Sequence, residues 1–249
     1  MQFFYEHMAI PKKCLLNKPL FKKLFLEHAK LDVTDKKALQ NDIKKIRWVY
    51  TLKPSTVNIS AYRDDVREFD EIAIIQIDLT NTSRTQRIAA FVNKAIPYPI
   101  LLVFKFADTI AISVSDKRIN QADKSKRIAQ KELLTEWFNP IKPNEVQKHF
   151  MEDMAIKNLS FVNFYAFYSD IINRVIALNS SVHTGSYKVV SAEKTRMRQE
   201  RLSQIIDLER EIKDFRSTLN KEIQFNKKLD LNVCVKERQI AIRQLEQDL

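Results

Sequence analysis

Large apolar residues recur with helical spacing near the start of the chain. In 19–25 they lie four residues apart, which predicts a first helix. A second helix is predicted from Thr34 or Asp35, since either residue is a suitable N-terminal cap. Ile43 and Ile46 fall on one face of this second helix, so we expect the helix to continue to about residue 46.

The pattern then changes to that of strands and helices in alternation. The clearest strand is 69–79, whose nearly continuous apolar run is typical of a central strand covered on both faces. A helix capped within 81–83 and ending near Ala95 is predicted to follow it. The strands predicted from β-branched and aromatic residues are 46–52, 56–59, 69–79, 99–106 and 110–115.

This order of elements predicts a mixed α/β fold, with a mixed sheet of about five strands and helices packed on it. A helical region and a coiled-coil-like tail at the C-terminus are expected to follow the sheet. The polar and basic segment 117–131 predicts a loop, and Gly185 lies in the best linker. The expected segments are an α/β domain at 1–140, a helical region completing the core at 141–180, a linker at 181–192 and the helical tail at 193–249.

The tail contains a heptad-like seam of apolar residues that step by three and four along a predicted helix. Such a stripe requires a partner helix, because exposing it to water is unfavourable. The partner is a second copy, another protein or the same chain folded back, and the sequence leaves all three open. The seam, which we predict to bind the partner, consists of Ile205, Leu208, Ile212, Phe215 and Leu219.

Composition excludes several classes of enzyme. Gly185 is the only glycine, so glycine-rich phosphate loops, dinucleotide fingerprints and nucleophile elbows are excluded. Cys14 and Cys234 lie far apart, which argues against a disulfide framework or a zinc ribbon. The most apolar stretch is interrupted by proline and charged residues, so we expect a cytoplasmic protein that does not span a membrane.

The formal net charge is +11 and it is concentrated near the start of the chain, where 1–53 has twelve basic and five acidic residues. Clustered lysines attract phosphate without reading base sequence. We therefore expect one of two outcomes. Either the protein contacts nucleic acid weakly and without regard to base sequence, or it binds no acidic ligand despite its charge. The residues predicted to contact phosphate are Lys12, Lys13, Lys22, Lys23, Lys44, Lys45, Lys117 and Arg118.

No metal site or cofactor is predicted, since the four histidines are isolated in sequence and belong to no ligand motif. One catalytic alternative is a metal-dependent nuclease of the PD-(D/E)xK kind, in which carboxylates hold a divalent cation and a lysine orients water. Its candidate acids are Glu68, Glu71 and Asp78. Thr80 occupies the position expected for the lysine, so a non-catalytic protein is favoured.

Several sequence blocks resemble the bacterial family of the domain of unknown function 4391. They run in order through nearly the whole chain, and the blocks around Ile96–Ile100 and Gln224–Asn226 are the most specific. The blocks are AIPKK at 9–13, IRWVYTLKPSTVNI at 46–59, NKAIPYPIL at 93–101, DKR at 116–118, TEW at 135–137 and KEIQFNKKLDLN at 221–232.

The resemblance implies an accessory or scaffold subunit of a DNA-acting system of the restriction-modification or phage-defence kind. Members of the family tend to be encoded beside helicases and DNA methyltransferases, which are therefore the expected partners, with self-association through the tail as a further expectation. Family members often carry Glu and Lys where this chain has Gln76 and Thr80. Any chemistry of those residues is therefore expected to be lost here.

Overall fold

The computed structural model describes residues 2–119, 127–129 and 132–249. The chain forms two compact units, Met1–Val175 and Ile176–Leu249, and the boundary falls inside one long helix. The first unit contains the sheets, and the second is helical. No helix within these described ranges is long and apolar enough to cross a membrane.

The strands of the first unit are short to medium in length, and the longest of them form one sheet. They are β1 (Leu15–Leu20), β2 (Ile43–Leu52), β3 (Tyr62–Arg63), β4 (Glu68–Phe69), β5 (Ile72–Leu79), β6 (Ile100–Phe106), β7 (Thr109–Val114), β8 (Lys117–Ile119), β9 (Arg127–Ala129) and β10 (Leu133–Leu134).

The helices lie before, between and after these strands. They are α1 (Gln2–Met8), α2 (Lys22–His28), α3 (Val33–Lys37), α4 (Pro54–Val57), α5 (Thr85–Ala95), α6 (Glu145–Asp153), α7 (Phe164–Thr184), α8 (Ala192–Leu219) and α9 (Phe225–Gln247).

Among the described residues, six strands form the main sheet in the order β1-β2-β5-β6-β7-β10. Strands β5 and β6 are parallel and are joined through α5, whereas the other pairs are antiparallel. The predicted central strand is β5, which lies between β2 and β6. The mixed α/β fold with a helical C-terminal region is therefore confirmed.

The two faces of the sheet differ in what they carry. On one face, Ile75 and Ile77 of β5 pack with α5 and α2 in an apolar core that includes Phe25, Ile88 and Phe104. The other face is covered in part by α1, because the Tyr5 ring lies 5.4 Å from the ring of Tyr50 on β2. This second face is the one that carries polar side chains of β5.

The second predicted helix ends earlier than expected. Helix α3 has Asp32 as its N-cap, and a π-helical turn, Ala38–Asp42, leads directly into β2. Ile43 and Ile46 therefore lie in a strand, where they pair with Leu79 and Ile77 of β5. The spacing of these residues fits a helix and a strand equally well, because both arrangements bury the same side chains. In the folded chain these residues pair with the central strand and therefore adopt the strand conformation.

Two other local predictions are wrong. Segment 56–59 is not a strand: Pro54 begins the short helix α4, and Asn58 ends it in the left-handed conformation with φ 56°. In segment 117–131 the structure describes 117–119 and 127–129, which form the antiparallel pair of β8 and β9 and not a loop; the rest of this predicted loop lies outside the described residues. The linker also begins later than predicted, since α7 continues through Thr184.

The second unit contains a helical hairpin. Helices α8 and α9 run antiparallel, with Glu211 paired to Arg238 and Arg201 paired to Asp248. Helix α8 ends at Leu219 and α9 begins at Phe225, so the hairpin turn is short.

Candidate nucleic-acid interface

Five polar residues form a row on the second face of the main sheet. Gln76 on β5 lies opposite Arg47 on β2, and Asp78 lies opposite Lys45 on β2 and Lys105 on β6. Directly opposed residues of neighbouring strands project from the same face. We name this set, Lys45, Arg47, Gln76, Asp78 and Lys105, the polar row.

The sequence of β5 explains why the row exists. Ala73, Ile75 and Ile77 project into the apolar core, whereas Gln76 and Asp78 interrupt the run on the opposite face and are half-buried. Polar residues in the central strand of a sheet depart from the local pattern, and such departures are expected at functional sites. The row also lies toward the carboxyl ends of the parallel strands β5 and β6, where α/β sheets commonly bind ligands.

Hydrogen bonds fix the two side chains at the centre of the row. The Nε2 atom of Gln76 donates to Oδ1 of Asp78 at 2.7 Å, and the Tyr5 hydroxyl lies 3.5 Å from Oε1 of Gln76. Arg47 donates from one terminal nitrogen to Oδ1 of Asn17 at 2.8 Å. A guanidinium has five N–H donors, so this one hydrogen bond does not exhaust the capacity of Arg47 to donate.

The Tyr5 hydroxyl stays protonated at the edge of the row. Burial raises its pKa far above the ordinary value, the charges of Tyr50 and Asp78 raise it further, and Arg47 opposes them. A hydroxyl that keeps its proton is a hydrogen-bond donor at every physiological pH. Tyr5 therefore directs its hydroxyl hydrogen at Gln76 and adds no charge to the row.

The residues predicted to contact phosphate are not equally available. Lys12, Lys13, Lys44 and Lys45 are exposed. Lys23 is exposed and pairs with Glu27 at 3.5 Å. The exposed lysines thus lie in the turn before β1, on α2 and on β2, and Lys45 is the member that lies in the polar row.

Besides Lys23, three of the predicted phosphate contacts are already engaged within the chain. Lys22 is half-buried and donates to the carbonyl of Gln40 at 2.9 Å, and burial lowers its pKa. Arg118 lies 3.3 Å from Asp116. Lys117 is only 3% exposed and donates its Nζ hydrogen to the carbonyl of Ile96. The prediction that Lys117 contacts phosphate is wrong for the folded chain, because its side chain points into the protein.

The nuclease acids do not come together. Glu68 pairs with Arg63 at 3.3 Å, and Glu71 pairs with Lys53 at 3.3 Å, so each has its own cation away from Asp78. In the part of the chain that the structure describes, no three His, Cys, Asp or Glu residues are grouped closely enough to hold a metal ion. The predicted set Glu68, Glu71 and Asp78 therefore does not form a metal site in this arrangement.

A second basic surface lies along α5, in a groove of about 1130 Å³. Its arginines are neutralised within the chain: Arg84 pairs with Asp42 at 2.5 Å, and Arg87 pairs with Asp32 and Asp35 at 2.8 and 2.9 Å. This groove is a weaker candidate for phosphate than the polar row, in which one carboxylate faces three cations.

The predicted seam of the tail packs within the hairpin. Ile205 and Ile212 are buried, and Leu208, Phe215 and Leu219 are half-buried. Arg238 of α9 lies over the Phe215 ring, 5.5 Å from its centroid. Helix α9 is thus the partner that covers this side of α8.

Sequence reasoning singled out Asp78, Gln76 and Lys45 but missed Arg47, Lys105 and Tyr5. Each missed residue sits in an element that otherwise reads as core. Arg47 and Lys105 lie beside Gln76 and Asp78 only because of the strand register, and the sequence next to these residues does not reveal that register. The polar interruption of the central strand was the available clue.

The fold and the row together define a mixed α/β protein with a basic, half-buried sheet surface and a helical hairpin. A family model described as a domain of unknown function, DUF4391, matches residues 8–242 of the 249-residue chain, and the chain belongs to this family. Comparison with curated proteins and with solved structures gave no match.

Proposed function

We propose that this protein is a non-catalytic accessory subunit of a bacterial DNA-acting system, and that it holds nucleic acid by its phosphates at the polar row. The observation that carries this proposal is the alignment of Lys45 and Arg47 on β2 and of Lys105 on β6, the two strands that flank the single carboxylate of Asp78 on β5. The row therefore carries a net charge of about +2 on one sheet face.

The spacing of the row suits an anionic backbone. Neighbouring strands lie about 4.8 Å apart, so the cations of β2 and β6 are about 10 Å from each other across β5. Arg47 offers a planar set of donors that matches a phosphate group, and the lysines offer mobile point charges. Release of counterions from the backbone then supplies the driving force.

Binding at this row is expected to be independent of base sequence. The cations project from a sheet face, and none of the three lies on a helix that could enter the major groove and read base edges. The affinity of such contacts falls as salt rises. We therefore expect other subunits of the complete system to recognise the DNA base sequence.

The expected partners are a helicase and a DNA methyltransferase encoded nearby, as the family resemblance implies. The helical hairpin supplies the assembly element of this proposal, in the manner of a short coiled coil. Co-expression of a tagged chain with these two neighbours checks this part: co-purification of either one supports it, and their absence from the purified complex argues against it.

Fluorescence anisotropy with a labelled DNA duplex tests the phosphate contact. The double variant Lys45→Gln/Lys105→Gln is expected to reduce the slope of log affinity against log salt by about two, since each lost phosphate contact removes nearly one unit. The matched control, Lys142→Gln/Lys148→Gln, removes the same charge from exposed positions before and within α6. Equal slopes in the two double variants would exclude the polar row as the binding surface.

A second candidate function, a metal-dependent nuclease, is favoured by one observation. Lys45 and Lys105 flank Asp78 from both neighbouring strands, so an acid and a lysine share one surface although Thr80 breaks the linear motif. Incubation of plasmid with the pure protein and Mg²⁺ or Mn²⁺ tests it. Cleavage that disappears in Asp78→Ala supports the nuclease, whereas intact plasmid supports the binding subunit.

A further inference from the structure

The main sheet places Asp78 between two lysines. Lys45 on β2 and Lys105 on β6 are the residues opposed to it in the register. Neighbouring strands lie about 4.8 Å apart, and a lysine side chain is long enough to cross that gap. An unrestrained Asp78 would therefore be expected to form an ion pair with one of these lysines, which would neutralise a cation of the polar row.

That ion pair is not formed. Within the described part of the chain, Asp78 binds no cation, and neither Lys45 nor Lys105 binds a carboxylate. Lys45 is exposed and Lys105 is half-buried. The two amino groups are thus not neutralised by the one carboxylate that lies between their strands.

The amide of Gln76 accounts for the separation. Its Nε2 atom donates to Oδ1 of Asp78 at 2.7 Å, from two positions earlier on β5. Residues two apart on a strand project from the same face, so this hydrogen bond directs the carboxylate along its own strand. A carboxylate has acceptors and no hydrogen to donate, so it is the nitrogen of the amide that must face Asp78.

Tyr5 favours the same orientation of the amide. Its hydroxyl lies 3.5 Å from Oε1 of Gln76, which is the distance of a long hydrogen bond. Because this hydroxyl is a donor, it keeps the oxygen of the amide on the side of α1 and leaves the nitrogen for Asp78. The three side chains therefore form one ordered series of hydrogen bonds.

Arg47 is kept apart from Asp78 by a second amide. Its guanidinium donates to Oδ1 of Asn17 at 2.8 Å, and Asn17 lies on β1, which borders β2 on the side away from β5. Neutral amides thus bind the guanidinium and the carboxylate of the row separately. Such groups fix a charged side chain without adding a charge of their own.

We propose, on the basis of the phosphate contact proposed above, that Gln76 is a positioning residue of the polar row: it binds Asp78 and so prevents this carboxylate from neutralising Lys45 and Lys105. The two amino groups then remain available to phosphate. Glutamine suits this role because it holds the carboxylate by a donor while leaving the net charge of the row unchanged.

Gln76→Met tests the role, because it removes the amide and keeps the length of the side chain. The released carboxylate is expected to pair with Lys45 or Lys105, so the affinity for a labelled DNA duplex is expected to fall about fivefold. The slope of log affinity against log salt is expected to fall by about one. The matched control, Gln204→Met, alters an exposed glutamine of α8 and is expected to bind like the wild type.

A double-mutant cycle distinguishes positioning from a general effect on the fold. In an Asp78→Asn background no carboxylate is left to be held, so adding Gln76→Met is expected to change the affinity less than about twofold. Circular dichroism checks that each variant is folded. Should Gln76→Met not fold, Tyr5→Phe enters the same cycle, with an expected loss of about twofold that disappears in the Asp78→Asn background. An equal loss in both backgrounds, or no loss in either, would overturn the proposal.

The crystal structure of Gln76→Met separates the positioning role from phosphate binding itself. An Asp78 oxygen within about 4 Å of the Nζ atom of Lys45 or Lys105 supports the positioning role. An Asp78 side chain that stays apart from both lysines contradicts it, even if the row binds DNA. Failure of the phosphate contact has a different sign, namely a Lys45→Gln/Lys105→Gln variant that binds DNA like the wild type.

Discussion

The guanidinium of Arg84 donates two hydrogen bonds to the carboxylate of Asp42, at nitrogen–oxygen distances of 2.5 and 2.7 Å. Asp42 is 2% exposed and ends the π-helical turn that leads into β2. Its backbone carbonyl accepts a hydrogen bond from Thr80, at the end of β5. This one residue therefore joins the start of β2 to the connection between β5 and α5.

Replacing Asp42 is expected to destabilise the first unit strongly. Asp42→Ala removes the only carboxylate bound by Arg84 among the described residues and leaves a half-buried guanidinium, at an expected cost of about 3 kcal/mol in the free energy of unfolding. Urea denaturation followed by tryptophan fluorescence measures this change. Glu27→Ala breaks the exposed pair with Lys23 and serves as the control, with an expected change below about 0.5 kcal/mol.

The fold was predictable where long apolar runs dominate. Strands β5 and β6 followed directly from such runs, because a strand covered on both faces has few polar residues. Strand β1 was missed since its side chains are largely exposed and its backbone is irregular, with Asn17 in the left-handed region. An edge strand of this kind has neither an alternating pattern nor a continuous apolar run.

The candidate site was predictable only in part. Asp78 and Lys45 were identified by their charge, but their position opposite one another depends on a register shift in β2. Lys117 was wrongly predicted to be an exposed phosphate contact, because its charge suggested exposure. A basic Asp-Lys-Arg segment predicts an exposed surface, and nothing in the segment shows that the middle side chain turns toward the carbonyl of Ile96.

The buried lysine predicts an unusual dependence of stability on pH. Burial lowers the pKa of Lys117 to about 7, with Glu132 opposing the shift, while in the unfolded chain the pKa is near 10.5. Between these values the unfolded chain binds more protons than the folded chain, so the stability rises with pH. Between pH 7.5 and 9.5 we expect a gain of about 2 kcal/mol.

Lys117→Met isolates this effect, because methionine has a similar length and no charge. The variant is expected to lose the rise in stability between pH 7.5 and 9.5, as measured by urea denaturation at several pH values. Burial raises the pKa of Glu132, which makes the stability fall as pH rises and so acts in the opposite direction. A variant with the same slope as the wild type would contradict burial of the charged amine.

Tyr168 is expected to hold the sheet to α7 by its hydroxyl. This group is fully buried, donates to the carbonyl of Ile100 at 2.7 Å and accepts from the amide of Ser115 at 3.3 Å. Tyr168→Phe leaves both backbone groups without this partner and is expected to cost about 2 kcal/mol. Tyr165→Phe, on the same helix, is the control, with an expected thermal unfolding midpoint close to that of the wild type.

The hairpin of the second unit is expected to depend on the inner residues of α8. Ile205 is fully buried, whereas the next residue, Ile206, is 48% exposed. Truncating Ile205 to alanine removes buried apolar volume and is expected to cost about 3 kcal/mol, while Ile206→Ala is expected to cost less than about 0.5 kcal/mol. Hydrogen exchange resolved along α8 and α9 measures the effect within the hairpin itself. Ile205→Ala is expected to speed exchange in both helices, since each covers the other, and Ile206→Ala is expected to leave their protection unchanged. Equal protection in the two variants would show that the seam on α8 does not stabilise the hairpin.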